Sequence, residues 1–345
     1  MKILIVHEIF MPSFGGGGER IVYEMAKNLL KRDIKVKVIT TGNPKIKEYD
    51  GIRTIRLPIN RYLMNFAFFS ILKHARCCDL IQATSYNAFF PSWLAGKILG
   101  KPVICYAMGI YGKRWIKMRG LVKGTASRII EKIQLKRSYD KIIFLSDYSK
   151  EWAREIGIYG KRTGVVNPGI ELKEYKCRKK ERFVLFSGRF AKQKGVDDII
   201  KVARKLPNIK FVMIGWGEEE KRIKKIAPPN IEFYNGINNK KMLLDLYSKA
   251  DVGFFPSIGE TFGLVIVEAM ASGCAIVSTI PLKYEGFIVK SGCINEMAEK
   301  IKYLMENKKI TKAMRKKNIE LAKKYTWKNF TDKLLEIYDE ILEKK

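Results

Sequence analysis

Two glutamates separated by seven residues stand in one unusually apolar stretch of this 345-residue chain. Glu260 follows the apolar run Ala250–Phe255, and Glu268 lies within residues 264–271, where almost every other side chain is apolar. A helix of that composition is buried, and a buried carboxylate is costly unless it is paired or hydrogen-bonded. Glu268 therefore needs a partner, either a ligand or a structural partner such as a nearby backbone group or lysine.

Gly263 opens the predicted helix, so free backbone N–H groups and the positive end of the helix dipole lie beside Glu260. Such a helix start suits a phosphate group. Acids just outside and just inside it could hold the hydroxyls of a sugar or ribose next to a diphosphate. Phe262, Gly263 and Leu264 are then candidates for binding the diphosphate through their N–H groups.

A glycine-flanked loop, residues 188–195, carries two cations and follows the predicted strand Phe183–Ser187. Arg189 can fork onto phosphate oxygens, and Lys194 adds a point charge. Such cations can neutralise the charge of a diphosphate group. Two ordinary surface cations are the simpler explanation on residue type alone.

The N-terminus reads as strand, glycine loop and helix, with the strand at Ile3–Val6 and the helix at Glu19–Leu30. A loop of this kind lets the backbone approach a phosphate, which makes Gly16 and Gly17 candidate ligands. The four consecutive glycines do not form the G-x-G-x-x-G pattern, so a flexible turn is the alternative. His7 ends the first strand and is either a catalytic group or a satisfied loop histidine.

The segment E-T-F-G-L-V-I-V-E-A-M-A-S-G, from Glu260, resembles the signature of retaining glycosyltransferases with two Rossmann-like domains, family 4 of the GT-B fold. The segment from Gly188 to Gly195 is similar to the diphosphate clamp of that family, and Gly16, Gly17 and Glu19 match its Gly-Gly-x-Glu segment. The resemblance covers essentially the whole chain.

The resemblance implies transfer of a sugar from a nucleotide-diphosphate-sugar donor to an acceptor hydroxyl, with retained configuration and without a metal or other cofactor. Glu260 would grip the donor sugar and aid the developing positive charge, and Glu268 would accept the ribose hydroxyls. Arg189 and Lys194 would hold the diphosphate. The segment with Gly236 and Ile237, which follows the predicted strand Ile231–Tyr234, would lie near the nucleotide base.

The chain departs from the family pattern in three places. Met108 stands where many relatives have a catalytic histidine before Gly109. Ala275 stands where relatives usually have a proline, and the loop after Thr279 is shorter than in most relatives. An inactive relative that only binds a partner is therefore an alternative, and His7 could fill the missing role.

Strands and helices alternate in two rounds, which predicts an α/β protein with two doubly wound parallel sheets. The turn Asn167–Ile170 and the charged run after it place domains at 1–170 and 171–326. By the family resemblance, these domains face a cleft, and a C-terminal helix at 327–345 crosses back to the first one.

Lysine and arginine number 66 against 35 acidic residues, for a formal net charge of +31. This excess implies an anionic partner, such as a phosphorylated substrate, an anionic membrane surface or a nucleic acid. A basic nucleic-acid-binding protein is the second alternative. Six scattered cysteines without a C-x-x-C pair, and two histidines, argue against a zinc site and fit a reducing cytoplasm.

Residues 109–139 interleave basic and apolar side chains, which is typical of a membrane-surface segment. A solvated basic helix is the alternative. With the predicted helix Arg61–Arg76, this segment could form a face that binds an anionic membrane or a lipid-linked or glycan acceptor, which would make the protein peripheral on the cytoplasmic side. The candidate face residues are Lys113, Arg114, Trp115, Lys117 and Arg119.

Overall fold

The computed structural model describes residues 1–13, 16–235 and 239–344. The chain divides into two compact units. The N-terminal unit contains residues 1–168 and the C-terminal segment from Trp327, and the second unit contains Gly169–Thr326. Each unit is built on a largely parallel sheet whose strands alternate with helices.

The described part of the N-terminal unit contains an eight-stranded sheet of order β3-β4-β2-β1-β5-β6-β7-β8. All its neighbours are parallel except β3 and β4. The strands are β1 (Lys2–Val6), β2 (Lys35–Thr41), β3 (Glu48–Tyr49), β4 (Ile52–Leu57), β5 (Leu80–Ala83), β6 (Val103–Ala107), β7 (Lys141–Phe144) and β8 (Thr163–Val165).

The helices of this unit are α1 (Gly17–Leu30), α2 (Phe68–Ala75), α3 (Tyr86–Leu99), α4 (Arg114–Arg119), α5 (Leu121–Leu135), α6 (Asp147–Arg154) and the C-terminal helix α13 (Trp327–Glu343). Helix α13 packs on the same unit, since the Tyr338 hydroxyl donates to Gln82 Oε1 at 3.0 Å.

The described part of the second unit contains a six-stranded parallel sheet of order β11-β10-β9-β12-β13-β14. Its strands are β9 (Phe183–Arg189), β10 (Lys210–Trp216), β11 (Ile231–Asn235), β12 (Val252–Phe255), β13 (Ala275–Ser278) and β14 (Gly286–Ile288). Its helices are α7 (Val196–Lys205), α8 (Glu220–Ile226), α9 (Lys240–Lys249), α10 (Leu264–Ala271), α11 (Ile294–Glu306) and α12 (Lys308–Ala322).

Short, continuous apolar runs form the central strands because both faces of a parallel sheet are covered. Strands β5, β6 and β12, for example, are buried along their whole length. Parallel strands also bring their carboxyl ends to one edge, where ligands of open α/β sheets bind. In the N-terminal unit, the carboxyl edge of the sheet carries the loops after β1 and β5. In the second unit, the carboxyl edge of its own sheet carries the loops after β9 and β12.

The predicted helix Arg61–Arg76 differs from the structure, which has a 3-10 helix at Arg61–Phe66 followed by α2. Tyr62, Phe66 and Phe69 are exposed along this segment. The prediction of Ser146 as an N-cap is confirmed, because its hydroxyl accepts from Ser149 N at 3.1 Å. No helix in the described ranges is long and apolar enough to cross a membrane.

Candidate active site

The loops after β9 and β12 in the second unit are in direct contact. Gly195 has φ +71°, and a Cβ there would lie 2.1 Å from the Pro256 carbonyl oxygen. The Ile258 N–H donates to the Gln193 carbonyl at 2.8 Å. A glycine is therefore required at position 195 for both the left-handed backbone and the close approach, and the two loops hold their charged side chains near one another.

Lys194 and Glu260 form an ion pair across these loops. Arg189, on the last residue of β9, lies 3.8 Å from the Glu218 carboxylate, measured from Nε to Oε2. The Lys194 and Glu260 side chains keep 25% and 19% of their surface exposed, so solvent and ligands can reach them. The structure thus brings together two of the predicted site residues, a cation and an acid, at the carboxyl edge of the sheet.

Helix α10 begins beside this ion pair. Gly263 is its N-cap and has φ +84°, a conformation that glycine adopts without strain. The first N–H groups of a helix lack i−4 partners, and although the Ile266 N–H donates to the Gly263 carbonyl at 2.9 Å, the N–H groups before it can meet an anion. The Phe262 ring is buried and lies 5.6 Å from the ring of Tyr325. Phe262 can therefore serve a ligand through its backbone, while its side chain anchors the helix start.

Glu268 is 3% exposed and has partners that the sequence did not reveal. Its Oε1 accepts from the Tyr175 hydroxyl at 2.9 Å, and its Oε2 accepts from the Tyr247 hydroxyl at 3.0 Å. Burial, followed by the charge of Glu268, raises the pKa of Tyr247 well above its ordinary value. The Tyr247 phenol thus stays protonated and remains a donor to Glu268. Gly236 and Ile237 lie outside the described residues.

His7 ends β1 in the N-terminal unit and is 4% exposed. Its Nδ1 lies 2.9 Å from Thr84 Oγ1, and that hydroxyl donates to the Val6 carbonyl at 3.0 Å. Burial, with a smaller effect of the nearby Arg61 charge, lowers the pKa of His7 to about 3. The imidazole is therefore neutral at ordinary pH and is a hydrogen-bonding group rather than an acid.

The glycine loop of the N-terminal unit is described from Gly16 onward, and Gly17 begins α1. A Cβ on Gly18 would lie 3.8 Å from Met108 Cε. Met108, the residue that replaces the family histidine, thus places an apolar thioether beside the loop.

A polar network around the buried Glu8, which follows His7 in the chain, was missed from the sequence. The Glu8 carboxylate accepts from the Arg61 guanidinium and, at 2.5 Å, from Asn87 Nδ2. Asn65 donates to Asn87 at 2.8 Å and so extends the network into the 3-10 helix. The sequence pattern that could have predicted this network is an acid, Glu8, just after a buried strand, together with Arg61 shortly after another strand of the same sheet.

Trp115 does not lie on an exposed face, so this part of the predicted membrane face is wrong. Its ring is 9% exposed, and its indole N–H donates to Glu131 Oε1 at 2.7 Å. Glu131 is 1% exposed and also accepts from the Tyr86 hydroxyl and from the backbone N–H groups of Tyr111 and Gly112. The carboxylate therefore holds α4, α5 and the preceding loop together.

The other predicted face residues occupy two kinds of position. Lys113, Lys117 and Arg119 are exposed. Arg114 pairs with Glu155 at 3.3 Å and lies 3.8 Å from the centre of the Trp152 ring, so it contributes to packing. No cluster of three or more histidine, cysteine or acidic residues that could hold a metal ion occurs within the described chain.

The chain folds into two Rossmann-like units, as GT-B glycosyltransferases do. The charged loops lie at the carboxyl edge of the second sheet. Residues 15–174 match the model of Glycosyltransferase Family 4, and residues 170–324 match that of Glycosyl transferases group 1. The two models follow one another along the chain. The protein therefore belongs to the group 1, family 4 glycosyltransferases.

The chain is similar to proteins from several organisms. It is 26% identical to an uncharacterised glycosyltransferase of Methanocaldococcus jannaschii, over 99% of each chain. It is 24% identical to a Campylobacter jejuni N,N'-diacetylbacillosaminyl-diphospho-undecaprenol alpha-1,3-N-acetylgalactosaminyltransferase, over 68% of this chain and 74% of that one. The structure of Anabaena HepE in complex with UDP-glucose superimposes with a TM-score of 0.80 at 19% identity, over 99% of this chain and 100% of the other.

Proposed function

We propose that this glycosyltransferase takes its sugar from a nucleotide-diphosphate-sugar, retains the anomeric configuration and works without a metal ion. The observation that carries the proposal is the Lys194–Glu260 ion pair at the start of α10. A cation, an acid and a helix N-terminus at one edge match the phosphate and hydroxyl groups of such a donor. The UDP-glucose bound by HepE, a protein of similar fold, supports the same donor class.

In the proposed reaction, the bond between the sugar C1 and the β-phosphate oxygen breaks, and its electron pair leaves with the diphosphate. The acceptor oxygen bonds to C1 on the same face, and its proton passes to the departing phosphate oxygen. Arg189 and Lys194 neutralise the leaving group, a task that metal ions perform elsewhere. Glu260 stabilises the positive charge that develops on the sugar ring.

Glu268 supplies the nucleoside end of the donor site. Its two tyrosine partners fix the carboxylate, and fixed acceptors bind ribose hydroxyls with less loss of conformational entropy. In this proposal, Glu260 binds the transferred sugar, and Glu268 binds the ribose of the nucleotide.

A thermal-shift panel tests the donor proposal. The protein is heated with UDP, GDP, ADP and their sugar conjugates at fixed salt, with magnesium or with EDTA. A ligand that binds only the folded state raises the unfolding midpoint, so one base should raise it in both conditions and fail to do so in Arg189→Ala. Product anomers, assigned by NMR, should match the donor. A metal requirement or an inverted product contradicts the corresponding part of the proposal.

We further propose that the acceptor is lipid-linked and is reached at an anionic membrane surface. Helix α5 exposes five large apolar side chains next to the exposed bases of α4, and the 3-10 helix and α2 expose more. Apolar patches rimmed by cations on one unit are typical of interfacial binding. The Campylobacter relative, whose name specifies an undecaprenol-linked acceptor, supports this class of acceptor. The α5 side chains are Leu121, Val122, Ile129, Ile130 and Ile133.

A further inference from the structure

Tyr247 connects Glu268 to a strand of the second sheet. Its phenol is fully buried on α9 and donates to Glu268 Oε2 at 3.0 Å, and the same phenol oxygen contacts the hydroxyl of Ser187. Ser187 is 4% exposed and lies on β9, the strand that ends at Arg189. A line of hydrogen bonds therefore runs from the strand that carries Arg189 to the carboxylate on α10.

The hydrogens available along this line determine which group donates at each step. A carboxylate only accepts, so the single hydrogen of the Tyr247 phenol points to Glu268, and the phenol oxygen accepts from Ser187. The Val265 carbonyl lies 3.4 Å from the same phenol, which is beyond the usual range of an O–H···O hydrogen bond. Both hydroxyls are therefore oriented towards the acid.

This line restricts where the carboxylate of Glu268 can lie. A glutamate side chain has several rotatable bonds, whereas the Tyr247 ring is rigid and packs edge-on against Tyr175, with 6.3 Å between the ring centres. Hydroxyls that donate in series polarise one another, which strengthens the last hydrogen bond to the acid. The position of the carboxylate is thus set by β9 through Tyr247, and not by α10 alone.

Strand β9 is then connected to both halves of the proposed donor site. It carries Arg189, which is assigned to the diphosphate, and it holds the acid assigned to the ribose through Ser187. We infer that Ser187 and Tyr247 are positioning residues that hold Glu268 at the distance from the diphosphate loop that a ribose requires. The inference rests on the proposed donor site and adds the residues that set its specificity for a ribonucleotide.

The two positioning residues act through Glu268 and do not bind the donor themselves. Loss of the Tyr247 hydroxyl should therefore weaken binding of a ribonucleoside diphosphate more than binding of its 2′,3′-dideoxy form, which has no hydroxyl for the acid. The ratio of the two affinities is the readout, because a general loss of folding weakens both nucleotides alike. In a transfer assay, the donor KM should rise more than kcat falls.

Tyr247→Phe keeps the ring and removes the hydroxyl. Calorimetry with the nucleoside diphosphate that raises the unfolding midpoint, and with its dideoxy form, should show a ratio that is lower by about 3- to 10-fold, the effect of one hydrogen bond. Tyr338→Phe is the matched control, because Tyr338 is equally buried in the N-terminal unit and donates to Gln82 at 3.0 Å. A wild-type ratio in Tyr247→Phe overturns the inference.

Ser187→Ala tests whether the line begins on β9, and it decides the matter alone if Tyr247→Phe does not fold. It should lower the ratio by about 2- to 3-fold, since the phenol keeps its hydrogen bond to the acid but loses the donor that orients it. Ser248→Ala, which removes an equally buried hydroxyl that donates to the Asp245 carbonyl at 2.7 Å, should not change the ratio. An unchanged ratio in Ser187→Ala overturns the part of Ser187.

The double variant Ser187→Ala/Tyr247→Phe shows whether the two hydroxyls act in series. Its ratio should equal that of Tyr247→Phe alone, because Ser187 acts through the phenol, whereas additive losses contradict this arrangement. Tyr175→Phe removes the other phenol that donates to Glu268, at 2.9 Å, and leaves the line from β9 intact. Equal losses in Tyr175→Phe and Tyr247→Phe would mean that β9 has no special part, which also overturns the inference.

These measurements separate the inference from the proposed function. If Glu268→Gln loses the preference for the ribonucleotide while Tyr247→Phe and Ser187→Ala keep it, the inference fails and the proposed donor site stands. If wild type binds no nucleotide, the proposed function fails, and the inference fails with it.

Discussion

Lys194 forms an ion pair with Glu260, so the cation assigned to the diphosphate is neutralised by the acid assigned to the sugar. This pair joins the loops after β9 and β12, whose backbones are also hydrogen-bonded. A diphosphate that binds Lys194 must compete with the carboxylate. Binding of the donor would then release Glu260 towards the sugar at the same time.

The first prediction concerns this competition. Glu260→Gln should bind the nucleoside diphosphate about 2- to 5-fold more tightly than wild type, since a partly exposed ion pair contributes up to about 1 kcal/mol. The same variant should lose about 100-fold or more in turnover, the usual cost of removing a transition-state charge partner. Calorimetry with the nucleotide and a transfer assay measure the two effects.

Lys194→Ala tests the other side of the pair and should weaken nucleotide binding about 10-fold or more, because hydrogen bonds to charged groups are worth roughly 1.5–3 kcal/mol. Lys192→Ala is the matched control, since Lys192 is exposed in the same loop. Equal affinities for the Lys194 and Lys192 variants contradict the clamp assignment.

The second prediction concerns the ribose. Wild type should prefer the nucleotide over its 2′,3′-dideoxy form by about 10-fold or more, and Glu268→Gln should reduce that preference, since an amide accepts more weakly than a carboxylate. Tyr175→Phe, which removes one donor to Glu268 but keeps the carboxylate, is the control and should retain the preference. An unchanged preference in Glu268→Gln removes Glu268 from the nucleoside site.

The sequence predicted the fold because central strands such as β6 and β12 are continuous apolar runs that alternate with helices. It also brought out Arg189, Lys194, Glu260 and Glu268, which belong to short contiguous motifs. It could not supply Tyr175 and Tyr247 as partners of Glu268, because they lie 93 and 21 residues away along the chain. Hydrogen bonds of that separation are set by tertiary packing.

In the basic segment too, a hydrogen bond to a residue distant in the sequence sets a feature that the local pattern could not predict. Basic and apolar residues interleave at Lys113–Arg119, and nothing in this local pattern distinguishes a surface tryptophan from a buried one. Trp115 is buried because its indole N–H donates to the buried carboxylate of Glu131. An acid sixteen residues further along the chain thus gives the indole N–H of Trp115 a buried partner.

The third prediction is that Glu131 stabilises the α4–α5 hairpin. Glu131→Ala leaves the donors of Trp115 and Gly112 buried without the carboxylate that accepts from them, so the free energy of unfolding should fall by about 3 kcal/mol or more. Urea titration followed by tryptophan fluorescence measures the change. Glu151→Ala, an exposed acid paired with Arg154 on α6, is the control and should change it by less than about 0.5 kcal/mol. Similar losses in both variants contradict the buried-anchor role.

The fourth prediction concerns the apolar surface of α5. Leu121 and Val122 are 73% and 81% exposed, so their replacement by serine should leave the fold intact. Leu121→Ser/Val122→Ser should reduce binding to vesicles that contain phosphatidylglycerol by about 10-fold or more, because burying one such side chain contributes roughly 1.5–3 kcal/mol.

Ile288→Ser is the matched control, since Ile288 is a 59% exposed apolar residue of the second unit. Removal of Lys113, Lys117 and Arg119 together should lower vesicle binding at low salt and have less effect at high salt, where surface charges are screened. Co-sedimentation measures both variants. Vesicle binding equal to wild type in the α5 variant rules out this surface as the membrane contact.

The fifth prediction is a pH dependence of stability that originates in His7. Its pKa is about 3 in the folded protein because of burial, against 6.5 for the unperturbed group. The unfolded chain therefore binds a proton that the folded chain excludes between about pH 6.5 and pH 3. The free energy of unfolding should fall as the pH is lowered through that window, by up to about 1.4 kcal/mol per pH unit from this group. Above pH 7 both states are neutral at His7, and the contribution is constant.

His7→Gln removes this titration, so its free energy of unfolding should depend less on pH than that of wild type between pH 6 and pH 4. The difference between the two slopes should approach the value for one bound proton, about 1.4 kcal/mol per pH unit. Because both proteins have the same carboxylates, their contributions cancel in this difference. His74→Gln is the control, because burial also lowers the pKa of His74, but that ring is only half-buried. Parallel curves for wild type and His7→Gln would mean that His7 is protonated equally in both states, which contradicts a buried, neutral imidazole at the end of β1.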